Sequence, residues 1–303
     1  MSDREIMNAK RGIGTDHTIQ IEKNKLYLVT GGSGFLGIPL CERILKMGGR
    51  VRVIARDEGK LVDLKQKHPD IEILTGDISD KFEVHQAMKD VDGIFHLAAS
   101  KHVGLAEIQV RECIKTNTLG SMYILEESLK TKPDFVLAIS TDKAAQVSGV
   151  YGATKLLMER LHEQFERVNP DTKYRIVRYG NVLYSTGSVL CKWKELLKLD
   201  KEVIITEPNA TRFFWTVDQA LDLIEHCMQN AIDTKAYCPD MKSMTVGDLL
   251  TAMSQKYLPT GSKLKLKTIG LQPGENLHEK VMEEGPYSNE CDKYTIEEIK
   301  DLI

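Results

Sequence analysis

Tyr151 and Lys155 close a stretch, STDKAAQVSGVYGATK over 140–155, that carries two sets of proton-handling groups. Leu156, Leu157, Leu161 and Phe165 follow at helical spacing, so Tyr151 and Lys155 fall in a first helical turn and share one face. A phenol titrates near ~10 in water, and a neighbouring ammonium favours its phenolate, so this pair can take the proton of an alcohol that is being oxidised. Thr141, at the end of the apolar run FVLAIS, can orient that alcohol. Asp142 and Lys143 add a carboxyl and an amine, the acid and the base that loss of water from an adjacent carbon requires. In isolation, a Tyr-x-x-x-Lys is usually a solvated helix face and an Asp-Lys a loop pair. Here both lie within one short stretch.

The residues that must position this chemistry lie upstream. A strand pattern over 25–30 runs into TGGSGFLG, and a helical pattern over 35–45 follows directly. Glycines 31, 34 and 37 allow a tight turn, close approach of backbone amides to a pyrophosphate, and packing of the helix on the sheet. Gly31, Gly34, Phe35, Leu36 and Gly37 are therefore the expected contacts of a dinucleotide. Further short apolar runs at 51–55, 71–74, 93–97, 135–139 and 174–177 alternate with helical patterns, as in a parallel sheet buried on both faces. Asp77 and Ile78 follow the third strand, where an adenine edge is met; Ala98 and Ala99 follow the fourth, where bulk would obstruct the cofactor. Arg56 at the tip of the second strand suits a ribose 2'-phosphate and favours NADP. Asp57 comes next and would hold a 2'-hydroxyl if the strand ran one residue longer, so NAD stays open.

With 303 residues, 42% hydrophobic and 28% charged, the chain is long enough for a substantial core. A formal charge of -3 gives no broad electrostatic reason to bind nucleic acid. No apolar run is long enough to span a bilayer and the first 24 residues lack a signal-peptide pattern, so a cytoplasmic location is expected. Six scattered cysteines form no Cys-x-x-Cys pair, and neither a disulfide scaffold nor a metal site is expected. The organisation reads as an amino-terminal arm over 1–24, a dinucleotide-binding domain over 25–182, and a mainly substrate-binding lobe over 183–303. A short segment near 236–238 returns to the sheet.

TGGSGFLG together with YGATK resembles the extended short-chain dehydrogenase/reductase superfamily. STDKA, VRYGNVLYSTGSV, TRFFWT and GLQPGENLHE further resemble the soluble UDP-N-acetylglucosamine 4,6-dehydratases of the polysaccharide biosynthesis type, over about 25–303. The resemblance implies an α/β fold, a Rossmann-like parallel sheet with a smaller C-terminal substrate-binding lobe, in a homo-oligomer. It also implies that Thr141 orients the substrate hydroxyl, Tyr151 takes the C4-hydroxyl proton, Lys155 supports Tyr151 and the nicotinamide ribose, Asp142 is the acid for the C6 oxygen and Lys143 the base at C5. Lys101, His102, Asn181, Ser188, Val189, Arg212 and Glu275 match positions at the nucleotide-sugar site, with Tyr287 and Ser288 supporting it. The implied reaction oxidises C4, eliminates water across C5 and C6 and returns the hydride to C6, so the cofactor stays bound and is recycled. The short soluble members resemble the branch that inverts C5.

The chain departs from that pattern in places. Gln146, Val147 and Gly149 replace an Asn-Pro and a later Asn, which loosens the loop carrying Lys143. Cys191 replaces a proline, and Gln272 and Asn276 replace an arginine and a lysine near the expected diphosphate. A nucleotide-sugar 4-epimerase or 4-ketoreductase would use Thr141, Tyr151 and Lys155 without needing Asp142 and Lys143. A cofactor-binding regulator on the same fold would need none of the five.

Overall fold

In the computed structural model, which describes residues 17–303, short apolar runs assemble into one seven-stranded parallel sheet. Its strands are β1 (Leu26–Thr30), β2 (Arg50–Ala55), β3 (Glu72–Thr75), β4 (Gly93–His96), β5 (Phe135–Thr141), β6 (Lys173–Tyr179) and β7 (Ala236–Tyr237). They lie in the order β7-β6-β5-β4-β1-β2-β3. The chain winds outward from β1 through β2 to β3, then crosses back to β4 on the other side of β1. That reversal leaves a crevice at the carboxyl ends of β1 and β4, the place where such sheets bind ligands. Every residue of β1 and of β5 is buried, as helices on both faces require.

Helix α1 (Gly37–Lys46) follows β1 and buries Leu40, Cys41 and Ile44 on the sheet. Tyr27, Phe95 and Phe135 bind the sheet centre together, with the Phe95 and Phe135 rings edge-on at 5.1 Å. The later helix Val217–Asn230 lays Leu221, Ile224 and Cys227 into this same core, and a capping box between Thr216 and Gln219 fixes its start. The third strand begins and ends one residue later than its apolar pattern suggests, and β6 extends at both ends of its pattern, because pairing with neighbours sets strand limits.

A smaller C-terminal region has its own core of Trp193, Leu197, Leu249, Leu250, Met253 and Ile299. It is stitched to the end of the main sheet by short strand pairs, among them Asn181–Val182 with Phe214–Trp215 and Thr211–Arg212 with Met244–Thr245. Asn181 and Arg212, carried on these pairs, both line one cleft. No helix among the described residues is long and apolar enough to cross a membrane.

Candidate active site

A cleft of about 990 Å³ runs along the carboxyl ends of the central strands and under the C-terminal region. At the end lined by the glycine-rich turn, Gly31 has φ +70°, and a Cβ there would stand 3.0 Å from the backbone of Ala98. A Cβ on Gly37 would lie 2.5 Å from Gly32 Cα, so α1 starts hard against the turn. The backbone thus forms a cradle that side chains would fill, and it fits a pyrophosphate facing the amino end of α1. Gly34, Phe35, Leu36, Ile78, Ala98 and Ala99 line this end with them.

Arg56, Asp57 and Lys60 all border the cleft beyond β2, and their hydrogen bonding separates their roles. Asp57 caps helix α2 (Glu58–Lys67): its Oδ1 accepts the Lys60 amide at 3.1 Å, and its Oδ2 lies 3.5 Å from the Lys60 ammonium. Asp77 accepts the amide and hydroxyl of Ser79 at 2.9 and 2.8 Å. Although burial works against its charged form, the Ser79 bonds and the charges of Arg56 and Lys115 hold its pKa below the ordinary value.

The chemical groups converge where β5 ends. Thr141 is the last residue of β5, and helix α3 (Val150–Val168) begins just before Tyr151. Thr141, Lys143, Tyr151 and Lys155 line the cleft together with Lys101, His102, Asn181, Ser188, Val189, Arg212 and Glu275. The loop between them is tied down despite lacking proline. Glu107 Oε1 accepts the Val150 amide at 2.6 Å, and the Ser148 hydroxyl donates to the Gly274 carbonyl at 3.1 Å. At Gly152 a Cβ would fall 2.3 Å from the Lys143 carbonyl oxygen, so α3 rests directly on the loop and fixes it.

Asp142 alone of the expected acid-base groups does not border the cleft; it is fully buried behind Thr141 and Lys143. Its Oδ1 accepts from Thr141 Oγ1 at 2.9 Å and from Lys143 Nζ at 3.0 Å, while Oδ2 is buried without a partner. Lys143 Nζ also lies 3.6 Å from Glu279 Oε1. Burial favours a neutral amine at Lys143, but Asp142 and Glu279 outweigh it and raise the pKa, so the resting group is an ammonium. A base at C5 needs the free amine, and the two carboxylates, Asp142 first, oppose it.

Tyr151 also differs from expectation. Burial pushes its pKa up to about 12, and the groups that oppose this are the Lys143 charge and a hydrogen bond with Thr141. Lys155 is 3% exposed, with Nζ 3.1 Å from Met158 Sδ, and burial draws its pKa down to about 8 against the pull of Glu159. The cation acting on Tyr151 is therefore Lys143. Sequence reasoning overlooked Glu279, inside the PGENLHE run, and Tyr179, which lines the cleft with its phenol held neutral by burial and by the nearby Tyr151.

The family model described as a polysaccharide biosynthesis protein matches residues 27–300. The chain belongs to this family. A UDP-N-acetylglucosamine 4,6-dehydratase (inverting) of Campylobacter jejuni is 32% identical over 84% of this chain and 76% of its own length. A UDP-glucose 4-epimerase of Rickettsia akari is 31% identical over 86% of this chain and 78% of its own. Among solved structures, Pen from Bacillus thuringiensis superposes with a TM-score of 0.87 at 29% identity, covering 93% of this chain and 97% of that one. Two relatives of similar identity to this chain are thus named for two different reactions.

Proposed function

We propose that the protein is a UDP-N-acetylglucosamine 4,6-dehydratase that forms a UDP-4-keto-6-deoxy-hexosamine with inversion at C5. The observation that carries this reading is Lys143 Nζ in the same cleft as Tyr151 and Thr141, with Asp142 bonded to it at 3.0 Å. A bound nicotinamide supplies acceptance of the C4 hydride and its return at C6. Gly31, Gly34 and Gly37 would cradle its pyrophosphate. NADP is the form we assign, because Asp57 is occupied as a helix cap and leaves Arg56 with Lys60 at the cleft.

Within that frame each side chain has one task. Thr141 orients the C4 hydroxyl and Tyr151 takes its proton. The resulting ketone acidifies C5, and Lys143 removes the C5 proton. Asp142, working from behind Thr141, returns a proton through the Thr141 hydroxyl to the departing C6 oxygen. Asn181 and Arg212 would hold the nucleotide and its diphosphate, since an amide and a guanidinium match those oxygens. Inversion is supported by the Campylobacter jejuni relative, which is named as an inverting enzyme.

A second reading, 4-epimerisation, is favoured by the Rickettsia akari relative, named as a UDP-glucose 4-epimerase, and by the burial of Asp142, since epimerisation needs only Thr141, Tyr151 and Lys155. Incubation with UDP-N-acetylglucosamine in deuterated water separates the two. Dehydration lowers the product mass by one water and places deuterium at C5; an unchanged mass with an altered C4 configuration overturns the dehydratase. Early proton couplings then decide C5, and a retained configuration removes inversion alone.

A further inference from the structure

Lys143 enters its proposed role with one proton too many. An ammonium cannot remove a proton, so something must relieve it before C5 can be attacked. Two carboxylates are in reach, and they are not equivalent. Asp142 Oδ1 is already taken by two hydrogen bonds, from Thr141 Oγ1 and Lys143 Nζ. Glu279 is 1% exposed, and its carboxylate has weaker support: Asn276 Nδ2 at 3.3 Å, Lys143 Nζ at 3.6 Å and Arg212 Nε at 3.9 Å.

We propose that Glu279 is a positioning residue for the C5 proton transfer, the carboxylate that receives the Lys143 proton so that the amine can act as base. The inference rests on the dehydration reading. An N–H bond of the ammonium breaks and an O–H bond forms on Glu279, turning the ion pair into an amine and a carboxylic acid. The amine then takes the C5 proton, and the electrons of that C–H bond expel the C6 oxygen, which leaves as water with the C4-hydroxyl proton that oxidation passed through Tyr151 and Thr141 to Asp142. Glu279 gives its proton to solvent before the next turnover, matching the one C5 takes up from the opposite face. Burial and the charge of Asp142 raise the Glu279 pKa over the opposition of Lys143, Arg212 and the Asn276 amide, consistent with a carboxylate ready to accept.

The surrounding structure holds Glu279 where the transfer needs it. The Ser288 hydroxyl receives the Glu279 amide at 2.9 Å and bonds the Thr211 hydroxyl at 2.6 Å, and Thr211 also meets His278 Nδ1 at 2.8 Å. Just downstream, buried Arg178 donates to the Val281 carbonyl at 3.0 Å and pairs with both Glu159 and Glu283. The short segment after Glu279 is thus pinned to β6. Arg212 adds a coupling to binding. A phosphate placed on its guanidinium draws that charge away from Glu279 and strengthens the carboxylate's hold on a proton.

The test compares native enzyme, E279Q and E279D in deuterated buffer with UDP-N-acetylglucosamine, following cofactor reduction and C5 deuterium separately. E279Q should keep cofactor reduction, yet slow C5 exchange about 100-fold at pH 7, with the rate climbing as hydroxide replaces Glu279. E279D should recover to within about tenfold of native. A merely structural role would depress cofactor reduction as well and leave the pH profile in place. C5 exchange at the native rate with the native pH profile in E279Q overturns the proposal. If E279Q does not fold, E279A takes its place, and a native C5 exchange rate with the native pH profile in E279A overturns the proposal. Acetylation of Lys143 by acetic anhydride across pH, read by peptide mass, needs no turnover. Its midpoint should fall in E279Q, and an unmoved midpoint refutes the coupling. A native enzyme that only epimerises defeats the dehydration reading, and the acetylation result still stands by itself.

Discussion

Lys155 is 3% exposed with its ammonium beside a thioether, and its pKa falls from the ordinary 10.5 to about 8. At pH 7 the group is charged in both the folded and the unfolded chain, but the folded environment holds the proton less tightly. At about 1.4 kcal/mol for each tenfold change, that burial costs on the order of 3 kcal/mol of stability. The sign follows from linkage: the folded pKa lies below the unfolded one, so the penalty is complete below about 8 and fades as pH rises toward 10.5. Lys155→Met keeps the stem and removes the charge. In cofactor-stripped protein it should raise stability at pH 7 by about 3 kcal/mol, or roughly 5 °C in Tm. The gain should shrink to about 1 kcal/mol at pH 10. Urea unfolding of both proteins at the two pH values measures this, while cofactor reduction by substrate should be lost in the variant. A methionine variant no more stable than the native protein at pH 7, or a gap that persists at pH 10, would refute the burial argument.

Tyr151→Phe should lower cofactor reduction by about 10²- to 10⁴-fold, whereas Lys143→Met should slow that reduction less, through loss of the cation beside Tyr151, and abolish C5 exchange; stopped-flow absorbance and mass spectrometry read the two steps. Arg56→Ser should weaken NADP binding by about tenfold or more and leave NAD binding nearly unchanged, as calorimetry would register; equal losses for both would argue against a 2'-phosphate contact. Gly37→Ala forces a Cβ to within 2.5 Å of Gly32 Cα, so it should destabilise the protein by about 1–3 kcal/mol and weaken the cofactor, and unchanged urea midpoints would count against the cradle.

The residues themselves determined the parallel sheet, because its strands are short apolar runs whose burial on both faces leaves no alternation to misread. They also placed the dinucleotide turn, since the glycines of TGGSGFLG are demanded by local backbone geometry such as the positive φ of Gly31. Spacing along one helix put Tyr151 and Lys155 on a shared face. The charge states were beyond the reach of spacing. Lys143 rests as an ammonium because Asp142 and then Glu279 outweigh its burial, and Glu279 is distant along the chain, held there by the Ser288–Thr211 and Arg178 contacts. The same holds for Asp57, whose side chain is consumed by the α2 cap, and for Asp142, which folding buries beneath its neighbours. Local backbone preference is written in neighbouring residues, whereas desolvation and Coulomb interactions depend on what tertiary packing brings within a few ångströms.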